Sequence, residues 1–114
     1  MITVYGIPNC DSVRKARMWL NANDIDYIFF DLRRDGLNKE IIASWLKQVK
    51  LDELVNKRGT TWRQLSDKQR DSLSQSNATD IILKHPTIVK RPVIDNDGKF
   101  IVGFDEARYQ EELL

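Results

Sequence analysis

The hydrophobic pattern changes period within the first twenty residues, and that change constrains the fold more than any other feature of the chain. Ile2-Thr-Val-Tyr-Gly6 alternates and is rich in β-formers, so it reads as a strand. Ile7-Pro8-Asn9-Cys10 interrupts it. From Asp11 onward Val13, Ala16 and Leu20 recur at helical spacing, with Arg14, Lys15 and Arg17 toward solvent. Asp11 or Ser12 suits the start of that helix, because a side-chain oxygen there accepts an otherwise orphaned amide hydrogen. Asn21 and Asn23 tolerate the left-handed turn that ends helices. Residues 27–32 are mostly apolar and are expected to form a strand buried on both faces, as parallel sheets require. Strand, helix and strand in about thirty residues make a βαβ unit with a right-handed crossover.

Residues 33–38 read as a charged loop. Ile41, Ile42, Trp45, Leu46 and Val49 then form a helical stripe, which predicts an amphipathic helix over 38–50. Residues 51–75 carry apolar positions at irregular spacing and are expected to form short helices. Asn77 or Thr79 is expected to cap a further helix through Ile81, Ile82 and Leu83, ended by Pro86. The last third switches to β, with strands expected at 87–90, 92–95 and 100–102. Asp97-Gly98 is a hairpin signal, since both positions tolerate positive φ. Residues 105–114 close the chain as a helix. A βαβ half, a helical insertion over roughly 38–84 and a ββα half give an α/β, thioredoxin-like topology with a four-stranded mixed sheet. At 114 residues the expectation is one domain over 1–114.

Charge excludes some functions. The chain carries net +1, with +1 in residues 1–57 and 0 in residues 58–114. Neither half is a basic arm, so nucleic acid or an anionic membrane is not the expected partner. No apolar run approaches the roughly 20 residues of a membrane span. The strand-like start lacks a signal-peptide core, so a cytoplasmic location is expected, and the chain is expected to be a monomer. One cysteine and one histidine rule out an internal disulfide and leave no self-contained zinc site, so no metal is expected.

That cysteine, Cys10, is where chemistry concentrates. It lies after a strand and just before a helix, where unpaired amide hydrogens and the positive end of the helix dipole converge. The thiolate is the reactive form of cysteine, and such surroundings favour it. Arg14, four residues on, adds positive charge nearby, whereas Asp11 opposes it if turned inward. Cys10-Asp11-Ser12-Val13 puts valine where a dithiol reductase needs its second sulfur. Cys10 therefore cannot resolve its own mixed disulfide, and turnover must borrow a thiol from elsewhere.

Gly6-Ile-Pro-Asn-Cys10-Asp, Arg58-Gly-Thr-Thr-Trp-Arg63, His85-Pro-Thr-Ile-Val-Lys-Arg-Pro92 and Gly103-Phe together resemble the arsenate reductase (ArsC)/Spx family, nearest its YffB branch. The resemblance runs over essentially the whole chain and implies a thioredoxin-like fold with a helical insertion. It implies that Cys10 is the active-site cysteine. It likewise implies that Arg91 faces a bound anion, a task its planar fork suits, and that Pro92 is the cis-proline set opposite the cysteine. Asn9, Arg14, Arg58 and Gly103 complete the expected substrate-binding set.

The departures from the family pattern redirect the function. Two further anion-binding arginines of arsenate reductases fall on Asn56 and Gly103, with Arg58 two residues beyond the first. Each charge-assisted contact is worth about 1.5–3 kcal/mol, so oxyanion binding is expected to weaken by about tens- to thousands-fold. A larger substrate with room near Gly103 fits better. The expectation is a thiol–disulfide reductase using a single nucleophilic cysteine, with no tightly bound cofactor and with glutathione as co-substrate. Glutathione or a glutaredoxin-type donor would supply the second thiol. Two alternatives stand beside it. One is a redox-independent binding module of the Spx transcriptional-regulator kind, whose relatives contact RNA polymerase; no residue here favours that contact. The other is weak arsenate reductase activity. The remaining candidates read as scaffold: His85 as a turn residue, Trp45 as core, Trp62 as an anchor of the insertion. Gly59-Thr-Thr lacks the spacing of a P-loop.

Overall fold

The computed structural model describes residues 1–114. In chain order the elements are β1 (Ile2–Gly6), α1 (Asp11–Ala22), β2 (Tyr27–Asp31), α2 (Lys39–Gln48), α3 (Leu51–Leu54), α4 (Thr60–Gln64), α5 (Asp67–Ser72), α6 (Ala78–Lys84), β3 (Val93–Asn96), β4 (Lys99–Val102) and α7 (Glu106–Leu113). The chain forms two compact units, residues 1–35 with 91–114, and residues 36–90.

The first unit holds the sheet, in the order β2-β1-β3-β4. β1 runs parallel to β2 and antiparallel to β3, and β3 runs antiparallel to β4. This is the thioredoxin-like mixed sheet expected from the alternating pattern. Its register lines up Phe29, Val4, Ile94 and Ile101 across one face. That row packs with Ile2 and with Ala16, Trp19 and Leu20 of α1 and Tyr109 of α7 in one core. Burying each large side chain of this kind stabilises by about 1.5–3 kcal/mol. Trp19 and Phe104 both meet the Tyr109 ring edge-on at 5.4 Å. On the opposite face Tyr5 stacks at a tilt on Phe30. The β3–β4 hairpin turns through Asp97 and Gly98 at φ 50° and 92°, the double left-handed turn that the residue pair predicts.

Four expectations are corrected in the first third of the chain. β2 is an edge strand, not one buried on both faces, and Ile28 is 56% exposed; an apolar run does not distinguish an edge from a centre. The helix start is Cys10 itself, in extended conformation with no side-chain cap, rather than Asp11 or Ser12. The left-handed residue after α1 is Asp24 (φ 56°), not Asn21 or Asn23. The charged stretch after β2 is a wide helical turn over Leu32–Gly36. It is held by Asp31, whose carboxylate accepts the amides of Arg33 and Arg34 while its own N–H donates to Asp35.

The second unit is helical. Asn38 caps α2 by accepting the Ile41 amide hydrogen at 2.8 Å, and Ser66 with Gln69 forms a reciprocal capping box on α5. Ile42, Trp45, Leu54, Ala78, Ile82 and Ile88 are fully buried. Asn77 occupies the N-cap of α6, but its carboxamide oxygen accepts from Ser74 instead, so neither Asn77 nor Thr79 caps that helix. Residues 87–90 are not a strand. Pro86 fixes its φ and lacks a donor, and Pro86–Ile88 forms a 3₁₀ turn. Only Val89 pairs, in a single bridge with Val55, flanked by Lys90 N–H to Leu54 O at 2.7 Å and Asn56 N–H to Ile88 O at 2.8 Å. No helix is long and apolar enough to cross a membrane.

Candidate active site

Cys10 stands four residues past β1, as the N-cap residue of α1, with φ −107° and ψ 129°. Its carbonyl accepts the Arg14 amide hydrogen at 2.9 Å, opening the helix. The first amides of α1 therefore lie at this residue without intrahelical acceptors. Its thiol is free, and the residue is half-buried beside exposed Pro8 and Asn9. Gly6 sets the path into this loop. A Cβ there would stand 2.7 Å from a Val13 methyl carbon, so the end of β1 and the first turn of α1 approach more closely than any side chain allows.

The sheet register brings other expected residues to the same end. Tyr5 pairs with Val93 and Val93 with Val102. The C-terminal end of β1, the start of β3 and the C-terminal end of β4 thus lie side by side. Arg91-Pro92 immediately precedes Val93, and Gly103 immediately follows Val102. Ligands of open α/β sheets characteristically bind beyond strand C-termini. The Arg91–Pro92 peptide is cis. Pro92 is buried and Arg91 half-buried. The Pro92 carbonyl accepts the Gly103 amide hydrogen at 2.7 Å. Gly103 has φ 83°, and nothing lies within 4 Å of where its Cβ would be, leaving open space beside the turn.

Two further expected residues make contacts of their own. Arg14 is exposed and donates to the Asp11 carboxylate, an ion pair on the surface of the first helical turn. Its charge is therefore compensated within α1. Arg58 belongs to the second unit. There it lines a cavity of about 420 Å³ with Asp52, Val55, Asn56, Lys57 and Lys90, and its amide donates to the Asn56 side chain at 3.1 Å. No group of three His, Cys, Asp or Glu side chains is arranged to hold a metal ion.

Tyr109 is the site neighbour that sequence reasoning misses. Its hydroxyl donates to the Gly103 carbonyl at 2.7 Å. Burial, and then the Asp105 carboxylate, push its pKa far above the usual phenol range, so it stays a donor. Its only signal in the sequence is an aromatic on a helix whose other faces are polar.

The sequence profile of the ArsC family matches residues 5–112. The solved structure of a YffB protein superposes at TM-score 0.95 with 32% identity, covering 100% of both chains. An arsenate reductase (ArsC) related protein from Brucella melitensis is 42% identical at TM-score 0.77, over 98% of this chain and 93% of that one. The global transcriptional regulator Spx of Listeria innocua is 32% identical over 108 residues, 93% of this chain and 82% of that protein.

Proposed function

The chain belongs to the ArsC family, and from that premise we propose that it is a glutathione-linked thiol–disulfide reductase working through Cys10 alone. The observation that carries this reading is positional. The residue that bears the chain's one thiol stands at the N-cap position of α1, at the sheet end that also holds Arg91-Pro92 and an open Gly103.

In the proposed reaction the Cys10 thiolate attacks the glutathione sulfur of a glutathionylated substrate. A Cys10–glutathione disulfide forms as the old S–S bond breaks, and the electron pair leaves on the substrate sulfur, which takes up a proton. A second glutathione, as thiolate, then attacks the glutathione sulfur of that mixed disulfide. Glutathione disulfide departs and the Cys10 thiolate is restored. One free glutathione has thus reduced the substrate, its partner in glutathione disulfide coming from the substrate itself, and no second protein cysteine is needed. Arg91 would hold a glutathione carboxylate through its two-pronged guanidinium. The Pro92 backbone and Asn9 would align the extended tripeptide, and open space at Gly103 would admit the substrate. Arg14 would add to the local field only so far as Asp11 leaves its charge unbalanced. The cytoplasm, where glutathione is kept reduced, is the compartment that suits this chemistry.

The test is turnover of a glutathionylated peptide with mass spectrometry of the protein. An adduct of one glutathione on Cys10, turnover lost in Cys10→Ser, and KM raised about tenfold in Arg91→Lys support the reading. Absence of both adduct and turnover overturns it. The likeness to Spx favours a second reading, partner binding without redox chemistry; that reading requires Cys10→Ser to leave partner capture intact. Glutathione-dependent arsenate reduction is expected to be slow, because the resemblance lays Asn56 and Gly103 over two anion-binding arginines of the family's arsenate reductases.

A further inference from the structure

We propose that Tyr109 is a positioning residue for the Cys10 site, its hydroxyl holding Gly103 and, through Gly103, the Arg91-Pro92 turn. This rests on the thiol-transfer reading above. Three contacts carry it. The Tyr109 hydroxyl donates to the Gly103 carbonyl at 2.7 Å. The Gly103 amide donates to the Pro92 carbonyl at 2.7 Å. The Tyr109 ring packs edge-on against Trp19 of α1, the helix that begins at Cys10. One buried side chain thus touches the helix bearing the nucleophile and ties down the strand ends that face the substrate.

A phenylalanine would fill the same core space. What tyrosine adds is a donor that a buried site must satisfy, and its acceptor is the carbonyl of a residue in the candidate site. Gly103 needs such a tether. It has no side chain to pack, and its φ of 83° is one that glycine adopts as readily as its alternatives. Held from both sides, by Tyr109 at its carbonyl and by Pro92 at its amide, Gly103 keeps a single conformation. The turn hydrogen-bonded to it is then held ready before substrate arrives, which lowers the ordering cost of binding.

The experiment is Tyr109→Phe, read three ways. The Gly103 amide is expected to exchange its hydrogen about tenfold faster, while the Val4 and Ile94 amides in the central strands stay unchanged. KM for a glutathionylated peptide is expected to rise about two- to tenfold, the range one hydrogen bond supplies, with kcat nearly constant. Alkylation of Cys10 by iodoacetamide is expected to keep its rate. Unchanged Gly103 exchange overturns the proposal, as does acceleration of all three amides together, which marks general loosening. A lower Tm with KM unmoved overturns it too. If the wild-type protein turns over no glutathionylated peptide, the thiol-transfer reading has failed, and the exchange arm alone decides whether Tyr109 holds the turn.

Discussion

Gly6 and Val13 approach so closely that a Cβ on Gly6 would stand 2.7 Å from one Val13 methyl and 3.2 Å from the other. Val13 is fully buried and stiff about χ1, so it cannot swing aside. Gly6→Ala is therefore expected to push α1 away from β1 and to destabilise by about 1–3 kcal/mol, the usual range for overpacking. Urea denaturation measures it. Because the conflict is with Val13 alone, Gly6→Ala combined with Val13→Ala is expected to cost less than the sum of the single changes.

Cys10 is an N-cap residue without a capping hydrogen bond, in the extended conformation that caps require. Cys10→Ser is expected to raise stability by about 0.5–1 kcal/mol, since a serine oxygen accepts a first-turn amide hydrogen. The same change is expected to abolish thiol transfer. Thermal unfolding beside a turnover assay reads both effects, and a fall in Tm would show that the thiol has a packing role.

Tyr109 makes the protein sensitive to alkali. Its folded-state pKa lies above the ordinary 10.0, through burial first. The neutral form is thus favoured on folding, and the stability it contributes is complete below pH 10 and declines as pH rises beyond that. Unfolding free energy followed from pH 9 to 11.5 is expected to fall in the wild-type protein and to fall less steeply in Tyr109→Phe.

Asp35 acts at the acid end. Its carboxylate accepts from the Arg34 guanidinium and from the Asp31 amide, and both hold its pKa below the ordinary 3.8. Its contribution is present above that value and is lost as pH falls through the lowered one. Asp35→Asn is expected to flatten the acid limb of a stability–pH curve below pH 4, measured by urea denaturation at 0.1 M salt.

How much of this was legible in the sequence depended on how local its cause is. β1, α1 and the Asp97-Gly98 turn follow from period and residue type within a few positions, and they appear where expected. The edge position of β2 was not legible, because Tyr27, Phe29 and Phe30 are apolar whichever place the strand takes; only the pairing of β1 with β3 settles it. Residues 87–90 have strand composition, yet Pro86 and the single bridge between Val55 and Val89 decide their shape. At the candidate site Cys10 was legible from the break in period. The ion pair between Asp11 and Arg14 was half-legible, since residues three apart on a helix are neighbours. The bond from Tyr109 to Gly103 was not, because it depends on how the chain leaves β4 before α7 starts.

The strand order carries a consequence for biosynthesis. β1 lies inside the sheet, with β2 on one side and β3 on the other, and Ile2 pairs with Asn96. Ile2 leaves the ribosome well before Asn96, so β1 waits for β3 before this hydrogen-bonding edge is covered. Until then a nascent chain exposes that edge to other molecules. Premature stops before Val93 are therefore expected to give aggregating or rapidly degraded fragments, however complete the first βαβ unit.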